Sequence, residues 1–192
     1  MLSSLTDPKI PVEEEARSGT LITFEGDPHM AMEKAVVSGV AAQRDEAKVT
    51  VHGVPDKPGI AYAILGPIAD AGINVDVIVQ NVSHDGMTDL SFTVHRSDYA
   101  KTMKLLKGQV QPHIKCRDVS GDERIAKVSI VGMGMRSHAG IAAQMFRTLA
   151  EEGVNIQMIS TSEIKITVVI EEKYTELAVR VLHKAFELES AG

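Results

Sequence analysis

Tryptophan is absent from this 192-residue chain, and phenylalanine and tyrosine number only four and three. A platform for stacking nucleic-acid bases is hard to build from so few rings. Positive charge is also short: 20 Lys and Arg face 26 Asp and Glu, for a net charge of −6 and a pI of about 5.6. A nucleic-acid binder needs a basic face, so that class is excluded. Cysteine occurs once, at Cys116, which rules out an internal disulfide and fits a reducing compartment. No apolar run reaches the ~18 residues of a membrane span. The first residues lack the basic start and apolar middle of a secretory signal. No G-x-x-x-x-G-K-[ST] phosphate loop occurs, and Val131-Gly-Met-Gly-Met135 holds only a lone G-x-G. Nothing resembles a nucleophile elbow or a signature Ser/His/Asp set. His113 and Cys116, or His84 with Asp85 and Asp89, fall short of the three or four spaced ligands a metal site needs. The expectation is therefore no metal and no catalytic residue.

What is present is ordinary globular composition, 44% hydrophobic and 24% charged, enough for one domain or two small ones with a real core. The informative feature is a repeat. Lys48-Val-Thr-Val-His-Gly53 and Lys127-Val-Ser-Ile-Val-Gly132 each lead into a Gly/Pro-rich or Gly-rich loop and then Gly-Ile-Ala. An amphipathic stretch follows, closed by Gly72-Ile-Asn-Val75 in one copy and Gly153-Val-Asn-Ile156 in the other. Residues 88–94 then align with 162–168.

Each copy reads as strand, helix, strand, strand, helix. In the first, β-branched alternation predicts a strand over 47–53. Pro58-Gly59 opens a helix whose apolar face is Ile60, Ile64, Leu65, Ile68 and Ala71, ended by Gly72. Strands over 74–80 and 88–95 are joined by a turn at Asp85-Gly86. A helix over 97–108 and a fourth strand over 112–119 complete a split βαβ, ferredoxin-like order. The second copy has a strand over 126–132, a helix over 139–152, strands over 155–161 and 164–171 and a helix over 173–186, with no fourth strand. The apolar segment 35–41 has no place in the first copy, so it is expected to complete the second copy's sheet. The domains are thus 47–120 for the first unit and 35–43 plus 126–188 for the second, with 1–31 a solvated linker or a remnant of a neighbouring domain. The fold class is α+β.

The loop Val54-Pro-Asp-Lys-Pro-Gly59 lies between a strand end and a helix start. Exposed helix-start N–H groups suit a carboxylate, and Asp56 beside them suits an ammonium, which together are what a free α-amino acid needs. The alternative is a cap and a turn. Asn74 and Asn155 are either turn formers or amide donors to the same ligand. Asp76, Gln80, Ser160, Thr161, Ser162 and Glu163 put polar groups on apolar strands, on a solvated face or lining a pocket between units. Asp98, Glu171, Glu172 and Glu176 near helix starts are stabilising charges. Met133, Met135, Met145 and Met158 are expected as core filler.

The strings Glu46–Ala61, Asn74–Val82, Thr88–Arg96 and especially Lys127–Phe146 and Asn155–Ile170 resemble the regulatory half of bacterial aspartate kinases, a pair of tandem ACT domains. The likeness runs from about residue 20 to 188. Thr20-Leu-Ile-Thr23 resembles the seam where the kinase domain ends, and Met32-Glu-Lys-Ala35 the start of the small beta subunit of some members. The resemblance implies two ferredoxin-like βαββαβ units paired side by side in an eight-stranded sheet, with amino-acid effectors at the seam. It implies feedback inhibition by threonine, lysine or both in a cytoplasmic enzyme. Threonine-type contacts would be Asp56, Gly59, Ile60, Ala61 and Gln80, with Asn155 and Ile156 from the second unit. Lysine-type contacts would be Asn74, Val75 and Asp76, with Ile141, Ala142, Ser162 and Glu163. The implied partners are a second copy, through the ACT units, and a kinase-bearing alpha subunit or full-length kinase, with no nucleic acid and no membrane. ATP and Mg would belong to the kinase domain, leaving no cofactor in this chain. The rival readings are a stand-alone small enzyme and an amino-acid sensor not attached to a kinase.

Overall fold

The computed structural model describes residues 37–81, 86–133 and 140–188. Expectations that rest on 1–36, on His84 and Asp85, and on Met135 and the rest of 134–139 lie outside the described residues. Six strands form one antiparallel sheet in the order β2-β3-β1-β4-β6-β5. They are β1 (Val37–Pro55), β2 (Val75–Gln80), β3 (Met87–His95), β4 (Asp118–Gly132), β5 (Met158–Thr161) and β6 (Lys165–Glu171). The helices are α1 (Ile60–Asp70), α2 (Tyr99–Leu105), α3 (Gln111–Ile114), α4 (Ile141–Glu151) and α5 (Thr175–Ala185).

Two strands are much longer than a unit requires. The first half of β1, Val37–Gln43, pairs with Lys127–Gly132 of β4. Its second half, Lys48–His52, pairs with Asp118–Asp122. Register shifts at Gln43, Glu46 and Lys48 mark the bend where β1 passes from one unit to the other. Each unit's closing strand is thus continuous in the chain with the other unit's opening strand. The sheet in one chain has six strands rather than eight for that reason.

Apolar alternation sorts the faces. Val49, Val51, Leu90, Phe92 and Val94 pack under α1 with Ile60, Ile64 and Ile68. Val128, Ile130, Ile166, Val168 and Ile170 pack under α4 and α5 with Met145, Leu149, Ala178 and Leu182. Met145 and Met158 are buried, but Met133 is 78% exposed and fills no core. On the helix-free side a third, smaller cluster joins the units: Val77 of β2, Met158 of β5, Ile125 and Val169.

Two expectations change. Residues 112–114 are helical, and the strand starts at Asp118. Leu106, Val110 and Ile114 recur at helical spacing and are all buried, so a π-helical turn over Leu106–Val110 carries α2 into α3, which stops at Lys115 with φ 51°. The repeat alignment also slips by two places. Lys48 pairs with Thr93 and Lys127 with Val169, so Thr93 corresponds to Val169 and not to Thr167. A slip of two keeps every side chain on its face, so hydrophobic patterning cannot detect it.

Candidate functional site

The loop after β1 is held at its base, where the Asp56 N–H donates to Gly86 O (2.9 Å). Gly59 turns the chain into α1 with φ 87°, a left-handed conformation that disfavours a Cβ. No side chain caps α1, and no acidic residue stands in its first turn. The Ile60 N–H donates to Lys57 O (3.2 Å) and the Ala63 N–H to Gly59 O (2.9 Å). A Cβ placed on Gly59 would meet nothing within 4 Å, so it is the left-handed φ and not crowding that calls for glycine there. Asp56, Lys57, Pro58 and Gly59 are all exposed. Gln80 ends β2 at the same end of the unit, because β2 and β1 both run antiparallel to β3.

The second unit repeats the design. Gly140 (φ 106°) precedes α4, again with no side-chain cap and no first-turn acid. The Gln144 N–H donates to Gly140 O (2.8 Å). Ile141 and Ala142 lie half-buried in that first turn. Ser162 and Glu163 lie in the β5–β6 turn, where the Ser162 N–H donates to Lys165 O (2.8 Å). The Gly132 N–H donates to Ile164 O (2.9 Å), which holds that turn against the end of β4, where the chain leaves for α4. Asn74 and Asn155 are exposed just past glycines with φ 72° and 69°. Val75 and Ile156 follow them, half-buried.

Each candidate set is thus divided between the units. Among the candidates, Asp76 bridges them. Lys127, 4% exposed in its side chain, reaches from β4 to Glu46 (2.7 Å) and to Asp76. Lys48, at the equivalent place in β1, donates to Gln157 Oε1 (2.5 Å). Asp76 and Gln157 each stand two residues past the turn asparagine of their own copy. The contact across the units is therefore reciprocal, charged on one side and an amide on the other. Burial works against the Lys127 charge, but Asp76 and Glu46 outweigh it and hold its pKa above the ordinary value.

One cluster escaped the sequence reading. His52 Nδ1 bonds Asp89 Oδ2 (3.0 Å), and His52 Nε2 bonds Ser120 Oγ (2.8 Å). The Gly53 N–H donates to Asp89 Oδ1 (2.7 Å). The residues are far apart in the chain and meet only through strand register. His52 and Asp89 are 28% and 48% exposed in their side chains, so solvent screens the charges a buried triad exploits. The cluster ties β1 to β3 and β4. His113 Nδ1–H donates to Gln109 O (2.7 Å), and among the described residues no group of three or more His, Cys, Asp or Glu is placed to hold a metal. Also among the described residues, no helix is long and apolar enough to cross a membrane.

Comparison with known proteins agrees with this geometry. Residues 49–110 and 128–186 each match the ACT domain. Aspartokinase of Pseudomonas aeruginosa is 61% identical over 172 residues, an alignment covering 90% of this chain and 41% of that protein. The chain thus spans well under half the length of the curated relatives it matches. A solved structure of aspartokinase alpha and beta subunits aligns with TM-score 0.75 and 59% identity, covering 80% of this chain and 100% of that one. The ligand-free regulatory subunit of aspartate kinase from Thermus thermophilus aligns with TM-score 0.74 and 39% identity, covering 79% and 99%.

Proposed function

The chain belongs to the aspartokinase family, whose regulatory ACT units it carries, and from that premise we propose that it binds an end-product amino acid, threonine or lysine or both, and turns aspartate phosphorylation down. The observation that carries this reading is the twice-repeated uncapped helix start behind a left-handed glycine, with exposed Asp56 beside the first copy. The ligand carboxylate meets the first-turn N–H groups of α1, which favour an anion by ~0.3–2 kcal/mol. Its ammonium meets Asp56. Gln80 stands at the same end, and Asn155 and Ile156 come from a second unit. In the lysine-type arrangement, Asn74, Val75 and Asp76 act with Ile141, Ala142, Ser162 and Glu163. Because each set is divided between units, occupancy favours one arrangement of those units. A coupling of ~1–3 kcal/mol is enough to bias a kinase toward its inactive state.

The implied assembly is a homodimer through the ACT units, working in the cytoplasm with a kinase-bearing alpha subunit or a full-length kinase. The solved alpha and beta subunits of a relative support that partner. ATP and Mg would bind the kinase part, and aspartate is its substrate. Isothermal titration of this chain with threonine and with lysine tests the reading. Binding of at least one, weakened roughly tenfold or more by Asp56→Asn through loss of a charge-assisted hydrogen bond, is the expected result. No heat with either amino acid overturns it.

A further inference from the structure

His52, Asp89 and Ser120 meet across three neighbouring strands of the first unit, β1, β3 and β4. His52 alternates with Val51, which packs under α1, so the imidazole stands on the helix-free face. The two nitrogens of its ring are engaged differently. Asp89 has its pKa lowered by the Gly53 N–H first and His52 next, so near neutrality it is a carboxylate that can only accept. The hydrogen of the 3.0 Å contact with Asp89 Oδ2 therefore sits on His52 Nδ1. In the neutral ring Nε2 then holds a lone pair, and the 2.8 Å contact there is Ser120 Oγ–H donating to it. Asp89 is itself fixed, because the Gly53 N–H donates to its other oxygen (2.7 Å). A held carboxylate thus orients a base, and the base faces a hydroxyl, the order that activates a serine.

The duplicated fold does not account for this array. At the places of His52, Asp89 and Ser120 the second unit has Val131, Lys165 and Ala41. Access is open as well. Ser120 is exposed, and its stretch of β4 pairs with β1 alone, since β6 joins β4 only from Ile125 onward. Thr50 stands opposite Ser120 in register and bonds Ser91 Oγ at 2.9 Å. Two hydroxyls that share one hydrogen bond keep one hydrogen to donate, here toward a negative oxygen formed beside Ser120. Solvent at His52 and Asp89 weakens the electrostatic part of the array but leaves the proton path whole. Ser97 provides a comparison within the same chain. Its Oγ lies 2.7 Å from His95 Nδ1, that nitrogen also accepts from the Ser97 N–H (3.3 Å), and among the described residues no carboxylate holds the ring.

We propose that Ser120 is a covalent modification site for small activated acyl esters, with His52 as its base and Asp89 positioning that base. Ser120 Oγ forms a bond to the acyl carbon, and the bond from that carbon to the leaving oxygen breaks. The Oγ proton passes to His52 Nε2 and on to the departing oxygen, leaving an acyl-serine. The site does not rest on effector binding by the chain. The test is incubation of the unaltered chain with p-nitrophenyl acetate, with acetylated peptides followed over time by digestion and mass spectrometry. Ser120 is expected to acetylate at least about tenfold faster than Ser97 and the exposed Ser160; a positioned base gives ~100-fold or more in an enclosed site, and solvent discounts that. In Asp89→Asn and His52→Gln, shown folded by circular dichroism, the Ser120 rate should fall to that of Ser97. The proposal is overturned if Ser120 of the unaltered chain fails to outrun both other serines, a comparison that needs no variant. It is equally overturned if acetyl groups appear on lysines alone, or if folded His52→Gln labels Ser120 at the unaltered rate.

Discussion

Replacing Lys127 with methionine keeps the buried stem and removes the ammonium. Glu46 is then left 13% exposed, with Oε1 stripped of its partner and Oε2 already buried without one. Breaking a buried pair by deleting one member costs ~3–5 kcal/mol. Asp76 is 59% exposed and regains water, so its share is small and the low end, ~3 kcal/mol, applies. At ~2–4 °C per kcal/mol for a chain of this size, the melting temperature should fall by roughly 6–12 °C. Urea unfolding followed by far-UV circular dichroism measures the free energy directly. Glu46→Met combined with Lys127→Met should recover most of the loss, because no orphaned charge remains. The pH dependence follows from the raised pKa of Lys127. The pair's contribution is complete below the unfolded value, 10.5, and is lost only as pH rises through the higher folded value. The gap between wild type and Lys127→Met should therefore stay constant from neutral to mildly alkaline pH. A Lys127→Met loss under ~1 kcal/mol, or a double variant no better than the single, refutes the reasoning.

Two further outcomes are expected. An alanine Cβ at Gly121 would lie 2.5 Å from Tyr99 Cε2 and 3.0 Å from Lys48 O. The ring can turn but the carbonyl is fixed in the sheet, so Gly121→Ala should cost ~1–3 kcal/mol, and an unchanged melting curve rejects this account. Asp89 has its pKa lowered by the Gly53 N–H first and His52 next, against desolvation. Its contribution is present above the ordinary value of 3.8 and is lost as pH falls through the lower folded value. Urea midpoints of wild type and Asp89→Asn should accordingly differ near neutrality and converge in acid, whereas a gap that persists at the acid end contradicts it.

Most of the fold was legible because each unit has an apolar face of one clear period. The Ile60–Ile64–Ile68 stripe and the alternating Leu90, Phe92 and Val94 are visible in the sequence and buried in the structure. The run after α2 was misread as a strand because Pro112 and short β-branched spacing mask a helical rhythm that needs Leu106, Val110 and Ile114 taken together. The length of β1 was hidden by its bend: Arg44, Asp45 and Glu46 read as a break between strands but remain extended. The place of the loop with Asp56 and Gly59, between a strand end and a helix start, was legible from turn chemistry. The seam was not. Lys48 and Lys127 look like ordinary strand-edge charges, and only tertiary folding reveals that each reaches the other copy. The His52–Asp89–Ser120 cluster was hidden for a related reason, since it exists only once three strands are in register.

The exchange of strands has a consequence for how the molecule comes apart. The second ACT unit does not correspond to an uninterrupted stretch of polypeptide: Val37–Gln43 finishes the half that begins at Lys127, on the far side of the first unit, which runs unbroken from Lys48 to Asp122. Cutting the chain between the halves takes Val37–Gln43 away from Lys127–Gly132 and strands an edge of the second sheet. Loss of one core should drag down the other, so heat or urea should melt the pair in a single step, and no fragment that begins after Gln43 should form the second half.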